Sequence, residues 1–549
     1  MRQAVRLSKN LSIKNHEIRI FVSSSMKYIQ GQNRSQIELF SLTLDDSIEA
    51  DNEVRLIDAF VSQLKLDDLG FNMQAGENGR PSYHPGDLLR LFIYGYLNRM
   101  RSSRSLEKEC KRNIEVMWLL KQLKPDHNTI ANFRRDNPKA IKRVFKETVR
   151  IAKYFNLIGG QLLAGDGTKL RAQNSKKNNF NQKKIDRHLQ YIENKLDEYN
   201  QALAKEDGDS ERKKELQEEI TKQEGRKEKY HKLEAELKAT GEKQISTSDP
   251  ESRQLAIRNI ITEVVYNLQT SVDAKHNLPV DYLVTNENDR NAMGTMVERT
   301  VDEIGHNNFT SLYDKGYHTG TEFAKVAKLG VDVMVAIPAI PKSSQAPDPA
   351  FNLEHFKFDA QKHTYTCPME QTLTTNGKWH KASNSSDFQL FRTPACKACE
   401  ARAKCTSAKY NGRIIRHLAE NTYVTANKAR IEANPKLYKR RQAIVEHPYG
   451  TIKRQWGFDH IMTKKSISRA SADVGLIMTA YNLRRLINIV GIDLLISALS
   501  LFNLLKQLKN AMKSTYMSLN LHLKQMSVKL QFLSYSRNLI LFLNKSMAA

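Results

Sequence analysis

The chain has 549 residues, with 86 Lys plus Arg against 60 Asp plus Glu and a formal net charge of +26 at neutral pH. A field of that size draws polyanions: nucleic acid is the leading partner class, with an anionic membrane surface second. The length allows three or four domains, and four of the five cysteines fall between Cys367 and Cys405, which excludes a secreted disulfide framework and fits a reducing compartment.

Residues 1–47 read as a polar leader whose only apolar run ends at Phe21 and Val22, too short for a signal-peptide core. Residues 48–152 carry a helical pattern. Pro85 suits a first helical turn and is followed by Leu88, Leu89, Leu91, Phe92 and Tyr94, then by the basic run Arg99, Arg101, Arg104, Lys108, Lys111 and Arg112. The stretch Asp126 to Arg135 predicts a capped turn into a short helix. Its Asn128, Thr129, Asn132, Arg134 and Arg135 suit the recognition helix of a helix-turn-helix, while a basic bundle that reads no bases has the same pattern.

A strand is expected over 162–172. Strands at 262–272 and 278–285, a helix at 291–304, a strand at 309–313, a helix at 321–327 and a strand at 331–337 follow, an order that gives a mixed sheet with flanking helices. This α/β core is assembled from 160–174, 246–340 and 430–497. The Lys- and Glu-rich segment 176–245 interrupts it. There Ile185, Leu189, Ile192, Leu196 and Tyr199 mark a heptad seam, read as an antiparallel helical hairpin, with a dimerising coiled coil as the alternative. Residues 341–429 form a Cys-rich β insertion and 498–549 a basic, Leu-rich tail. The apolar stretch Leu486 to Leu505 is long enough to span a bilayer, but Asn488, Asp493 and Asn503 favour a buried core helix, and no membrane partner is expected.

Three acids stand in contexts that suit phosphodiester chemistry. Asp166 lies in an apolar β-like run, Asp314 ends another, and Glu446 sits in a basic helical segment seven residues ahead of Lys453, with Arg454 next. Two Mg²⁺ or Mn²⁺ ions held by such carboxylates activate an oxygen nucleophile and neutralise charge on phosphorus. Two helical turns separate Glu446 from Lys453, so both project from one face of a helix, with Lys453 and Arg454 where substrate phosphates pass. Asp273 and Asp289 read as structural or turn acids.

The passages Gly165-Asp166-Gly167-Thr168-Lys169, Val265-Tyr266-Asn267-Leu268-Gln269-Thr270, Thr285-Asn286-Glu287-Asn288-Asp289, Tyr313-Asp314-Lys315-Gly316-Tyr317 and Val445-Glu446-His447-Pro448-Tyr449-Gly450-Thr451-Ile452-Lys453 resemble those of bacterial insertion-sequence transposases of the DDE type. The resemblance spans residues 40 to 497. It implies a ribonuclease H-like catalytic core with a helical N-terminal DNA-binding domain, and Asp166, Asp314 and Glu446 as ligands of Mg²⁺ or Mn²⁺. It further implies cleavage and joining of double-stranded DNA at transposon terminal inverted repeats and target sites, a homodimer in the DNA complex, and a cytoplasmic location. Tyr438 and Arg441 resemble two further signature positions that meet DNA, although four residues rather than three separate Arg441 from Glu446. Two other readings share these residues: a metal-dependent nuclease without strand transfer, and a DNA-binding protein with an inactive core.

Cys367, Cys396, Cys399 and Cys405 suit a structural Zn²⁺ site, with Cys396 and Cys399 as one C-x2-C half and His363 and His380 as spare ligands. The alternative is a set of reduced thiols in a small β insertion. Cys110 reads as a small buried apolar residue.

Overall fold

The computed structural model describes residues 43–73, 81–205, 208, 211–258, 261–339, 344–381, 386–502, 504 and 517. Most of the 1–47 leader and the 498–549 tail lies outside these residues. The chain divides into two units, Met1–Ser47 and Ile48–Ala549, and all the described helices and strands belong to the second.

The strand Ile261–Asp273 lies at the centre of the sheet and is buried on both faces over most of its length. Val264, Tyr266 and Leu268 face one core, and Val272 faces another. One edge pairs antiparallel with the Asp166 strand, Leu162–Arg171. The other edge is shared by Arg253–Arg258 and Leu278–Thr285. Thr310–Tyr313 runs parallel beside the Asp166 strand, and Asp332–Val335 lies parallel beside that. The six strands form a mixed sheet, with Met293–Ile304 and Gly320–Leu329 as the helices between the later strands. The sequence pattern did not single out Arg253–Arg258.

The helix Pro435–Tyr449 covers one sheet face, where Ala164, Val272, Leu312, Met334, Ile444 and Val445 form a cluster. The larger core on the other face is continuous with the N-terminal helices. These begin where polar side chains take up free backbone N–H groups: Asn52 ahead of Glu53–Gln63, His84 ahead of Pro85–Leu97, Asn113 ahead of Ile114–Leu119 and Asp126 ahead of His127–Asp136. The long helix Ile467–Val490 joins the two regions, packing on Pro138–Tyr154, on Pro85–Leu97 and on the strand Leu278–Thr285.

At this junction Asp473 is fully buried. Its carboxylate faces Arg101 at 3.5 Å and Arg134 at 3.4 Å, and accepts the Tyr96 hydroxyl and, at 2.8 Å, the Met462 N–H. Burying one carboxylate is tolerable only with this saturation of its oxygens.

The expected single buried helix over 486–505 is corrected. The chain turns at Gly491, whose φ is +88°, and Ile492–Phe502 leaves at 110° to Ile467–Val490. Leu495 and Leu499 are buried while Leu494, Leu501 and Leu504 are exposed, so the second segment packs one stripe only. No single described helix is long and apolar enough to cross a membrane.

Helices Gln182–Leu203 and Glu211–Thr240 pack against each other, and Phe180, Ile185, Leu233, Leu237 and Ile245 form a core at their base. The Cys-rich segment holds short strands of two to four residues in two three-stranded sheets. Its core is five side chains, Phe356, Tyr365, Leu373, Phe391 and Ile415.

Candidate active site

The Asp166 strand is built around two glycines. A Cβ on Gly165 would stand 2.0 Å from the Tyr313 ring, and one on Gly167 would stand 2.2 Å from Asp289 Oδ1. Both point behind the strand, so Asp166 projects from the opposite face, the one covered by Pro435–Tyr449. Parallel pairing aligns Leu162 with Thr310 and Ala164 with Leu312. Continuing that register sets Asp314 beside Asp166.

Asp314 follows its strand directly and caps the turn Lys315–Tyr317, with Oδ1 accepting the Gly316 N–H at 2.7 Å. The Asp166 carboxyl is pushed up to about 6, chiefly by burial, with Asp314 and Asp289 adding repulsion while Arg441 and the Gly167 N–H oppose the shift. Arg441 Nη1 lies 3.7 Å from Asp166 Oδ2 and makes no hydrogen bond. Tyr438, one turn before it, donates to the Tyr313 carbonyl at 2.9 Å. Arg441 and Tyr438 therefore stand over the two aspartates despite the one-residue difference in spacing.

Glu446 lies on the same covering helix but is exposed, held at 2.8 Å by the Gln442 side-chain amide. Ile444 and Val445, just before it, seal the helix onto the sheet. Tyr449, one turn later, donates to the Asp166 carbonyl at 2.8 Å and meets Thr270 Oγ1 at 2.7 Å. Among the described residues, no three His, Cys, Asp or Glu side chains stand close enough to share an ion.

The shared helical face expected for Glu446 and Lys453 is corrected. Pro448 lies in the last turn, and the backbone widens to a π-helix over Gly450–Gln455. Proline offers no N–H to the carbonyl four residues earlier, so the regular ladder is broken there. The π turn carries Lys453 onto the Asp166 strand, where Nζ donates to Thr168 Oγ1 at 3.1 Å and to the Lys169 carbonyl at 3.0 Å. Arg454, next to it, is exposed.

Asp289, read from sequence as a structural acid, anchors the back of the site. Its Oδ2 pairs with Lys169 at 2.7 Å, and its Oδ1 accepts Asn267 at 2.8 Å and Gln269 at 2.7 Å. Burial opposes its ionisation, yet Lys169 and the two amides hold it below the usual carboxylate range. Tyr317 donates to Gln269 in turn. Lys169 and Gln269 fall inside the motifs read above, but nothing in the sequence pairs them with Asp289.

In the N-terminal region, the helix His127–Asp136 exposes Asn128, Asn132 and Arg135. Spacings of four and three put them on one face. Arg135 pairs with neighbouring Asp136 at 2.6 Å, and Thr129 is spent on the cap, its hydroxyl 2.7 Å from Asp126. Arg134 is corrected as a DNA contact. It is 4% exposed and turned inward, donating to the Tyr96 hydroxyl at 2.8 Å and the Arg101 carbonyl at 3.0 Å beside Asp473.

Cys367, Cys396, Cys399 and Cys405 all line one pocket in the Cys-rich insertion. His363 instead meets Gln389, and His380 stacks on Phe388. Cys110 is buried, and burial pushes its thiol up to about 11.

The family described as Transposase domain (DUF772) matches residues 42–136, and the family described as Transposase DDE domain matches residues 366–487. The second span includes Glu446, Tyr438, Arg441 and Lys453, and stops short of Asp166 and Asp314. No curated protein and no solved structure matches the chain.

Proposed function

From a chain that belongs to the DDE transposases, which act on DNA, we propose that it cuts the terminal inverted repeats of a bacterial insertion sequence and joins the freed 3′-hydroxyl to target DNA. The chemistry is assigned to Asp166, Asp314 and Glu446 on a ribonuclease H-like core. The observation that carries this reading is the adjacency of Asp166 and Asp314 on parallel strands, beneath the helix that bears Glu446.

The donor set fits a hard divalent cation. Asp166 and Asp314 repel one another in a crowded place where Arg441 is the nearest cation to Asp166, and carboxylate oxygens are the ligands Mg²⁺ and Mn²⁺ prefer. Asp166 and Asp314 would hold such ions, with Glu446 joining once it leaves Gln442. When bound, two ions supply a nucleophile of lowered pKa and neutralise charge building on phosphorus.

The chain's own residues do the positioning. Lys453, Tyr449 and Asp289 fix the Asp166 strand from three sides. Arg441 balances Asp166 before substrate arrives and is placed to meet a phosphate afterwards. Exposed Arg454 and the Asn128, Asn132 and Arg135 face extend the contact to flanking duplex. Two such ends imply a homodimer in the DNA complex, acting in the bacterial cytoplasm.

The test is metal-dependent cleavage of DNA carrying the flanking element ends, wild type against Glu446→Gln, in Mg²⁺ and in Mn²⁺. Cutting lost in the variant with binding kept, and 3′ ends joined to target by the wild type, supports the reading. Cutting without joining identifies a nuclease. Binding without cutting in either metal identifies a DNA-binding protein with an inactive core. Complex mass by light scattering reads the dimer.

A further inference from the structure

The four clustered cysteines play no part in the chemistry above, and their arrangement has its own logic. Cys367 directly follows the strand Thr364–Thr366. Cys396 lies in the turn Pro394–Lys397, Cys399 follows it, and Cys405 ends the short helix Arg402–Cys405. All four are free thiols, and all four line one cavity of about 20 Å³. That volume holds one water-sized occupant and no organic ligand.

The cavity is built for sulfur. Gly412 passes so close to Cys396 that an added Cβ would stand 2.2 Å from its Cβ and 2.9 Å from its Sγ. The Gln371 N–H points at Cys367 Sγ at 3.3 Å, inside a turn closed by Cys367 N–H to the Gln371 carbonyl at 3.0 Å. No Asp or Glu lines the cavity, while Arg402 and Arg413 do. Four thiolates formed on metal binding, set against two arginines, would leave a net charge that a dication balances.

The insertion has only a small apolar core among its described residues. Five buried side chains with Phe358, Cys367 and Cys405 packed against them are a small core for a segment made of two- to four-residue strands. Small folds of this kind usually need a staple.

We propose that Cys367, Cys396, Cys399 and Cys405 bind one structural Zn²⁺ that fixes the insertion ahead of the Glu446 helix. No three of these side chains yet stand close enough to share an ion. Ligation at the roughly 2.3 Å expected of Zn–S bonds draws the sulfurs inward, so that binding the ion and closing the insertion are one event.

The experiment uses the full chain, purified without chelator under reducing conditions. Elemental analysis is expected to find about one zinc per chain, the occupancy of a closed four-cysteine site. It should be retained in Cys110→Ser and in Asp166→Asn, and lost in Cys399→Ser and in Cys367→Ser. Replacement by Co²⁺ should give the charge-transfer and visible bands of tetrahedral sulfur ligation, a readout that does not depend on the variants folding. Removing zinc should speed proteolysis between residues 344 and 420 while the catalytic core stays intact. Wild-type chain that takes up neither Zn²⁺ nor Co²⁺, zinc retained in both cysteine variants, or disulfide-linked peptides joining these cysteines would each overturn the proposal. None of these results depends on DNA cleavage, so the site and the transposition reading fail separately.

Discussion

Asp166 is a carboxylate whose folded environment disfavours its charge. Its pKa rises from 3.8 to about 6, so the folded state binds the proton more tightly than the unfolded chain does. The associated stability is fully present below about pH 4 and is lost as pH rises through about 6. Asp166→Asn should therefore raise the stability of the metal-free protein at pH 7 by about 3 kcal/mol, with a higher melting temperature, and flatten the pH dependence between pH 4 and 6. Scanning calorimetry across that range checks this, and an unchanged slope would remove the electrostatic account. Metal-dependent cutting should rise over the same interval, because a protonated carboxyl is a poor ligand. The strand positions of Asp166 and Asp314 were legible because each stands in or at the end of an apolar β-like run, a context that can be read along the chain. Arg134 was misread for the opposite reason. A basic residue in a short helix carries no local sign of its facing, and its partner Asp473 lies 339 residues away.

At the scale of elements, the site depends on how closely strands and the covering helix approach. Gly165 admits the Tyr313 ring, and a Cβ there would overlap it at 2.0 Å. Gly165→Ala should cost about 3 kcal/mol, at the upper end for overpacking. Tyr313→Leu in the same chain should recover part of that cost, and urea unfolding of the four-member cycle measures the coupling. Additive losses would show that the ring is not the obstacle. Tyr449→Phe removes the hydroxyl that bridges the Asp166 carbonyl and Thr270. A loss of about 1 to 2 kcal/mol is expected, together with weaker cutting at unchanged DNA affinity. The succession of strands and helices that makes a mixed sheet was readable from periodicity. The π turn at Gly450–Gln455 was not, since the seven-residue offset from Glu446 to Lys453 fits a helical face equally well. Only the tertiary hydrogen bonds of Lys453 reveal where the chain widens.

Across the whole molecule, the helix His127–Asp136 and the core helix Ile467–Val490 meet around one buried acid, Asp473. If the exposed face reads DNA, Asn128→Ala with Asn132→Ala should lower affinity for the element ends, and adding Arg135→Ala should flatten the salt dependence of binding by about one phosphate contact. Anisotropy titrations at several salt concentrations decide this, and unchanged affinity would move the contact elsewhere on a chain of net charge +26. Asp473 makes the stronger structural demand. Its removal leaves Arg101 and Arg134, 6% and 4% exposed, facing one another without a counter-charge. Asp473→Ala should then cost about 3 to 5 kcal/mol, more than any exposed ion pair here can contribute. Because Tyr96, Arg101 and Arg134 belong to the N-terminal helical region while Asp473 belongs to the core helix Ile467–Val490, the loss should fall on the junction. Wild type should melt in one transition over the described unit. Asp473→Ala should melt in two, the N-terminal helices first, and a single transition merely shifted to lower temperature would show that apolar packing between Ile467–Val490 and Pro138–Tyr154 already suffices to hold the two regions as one.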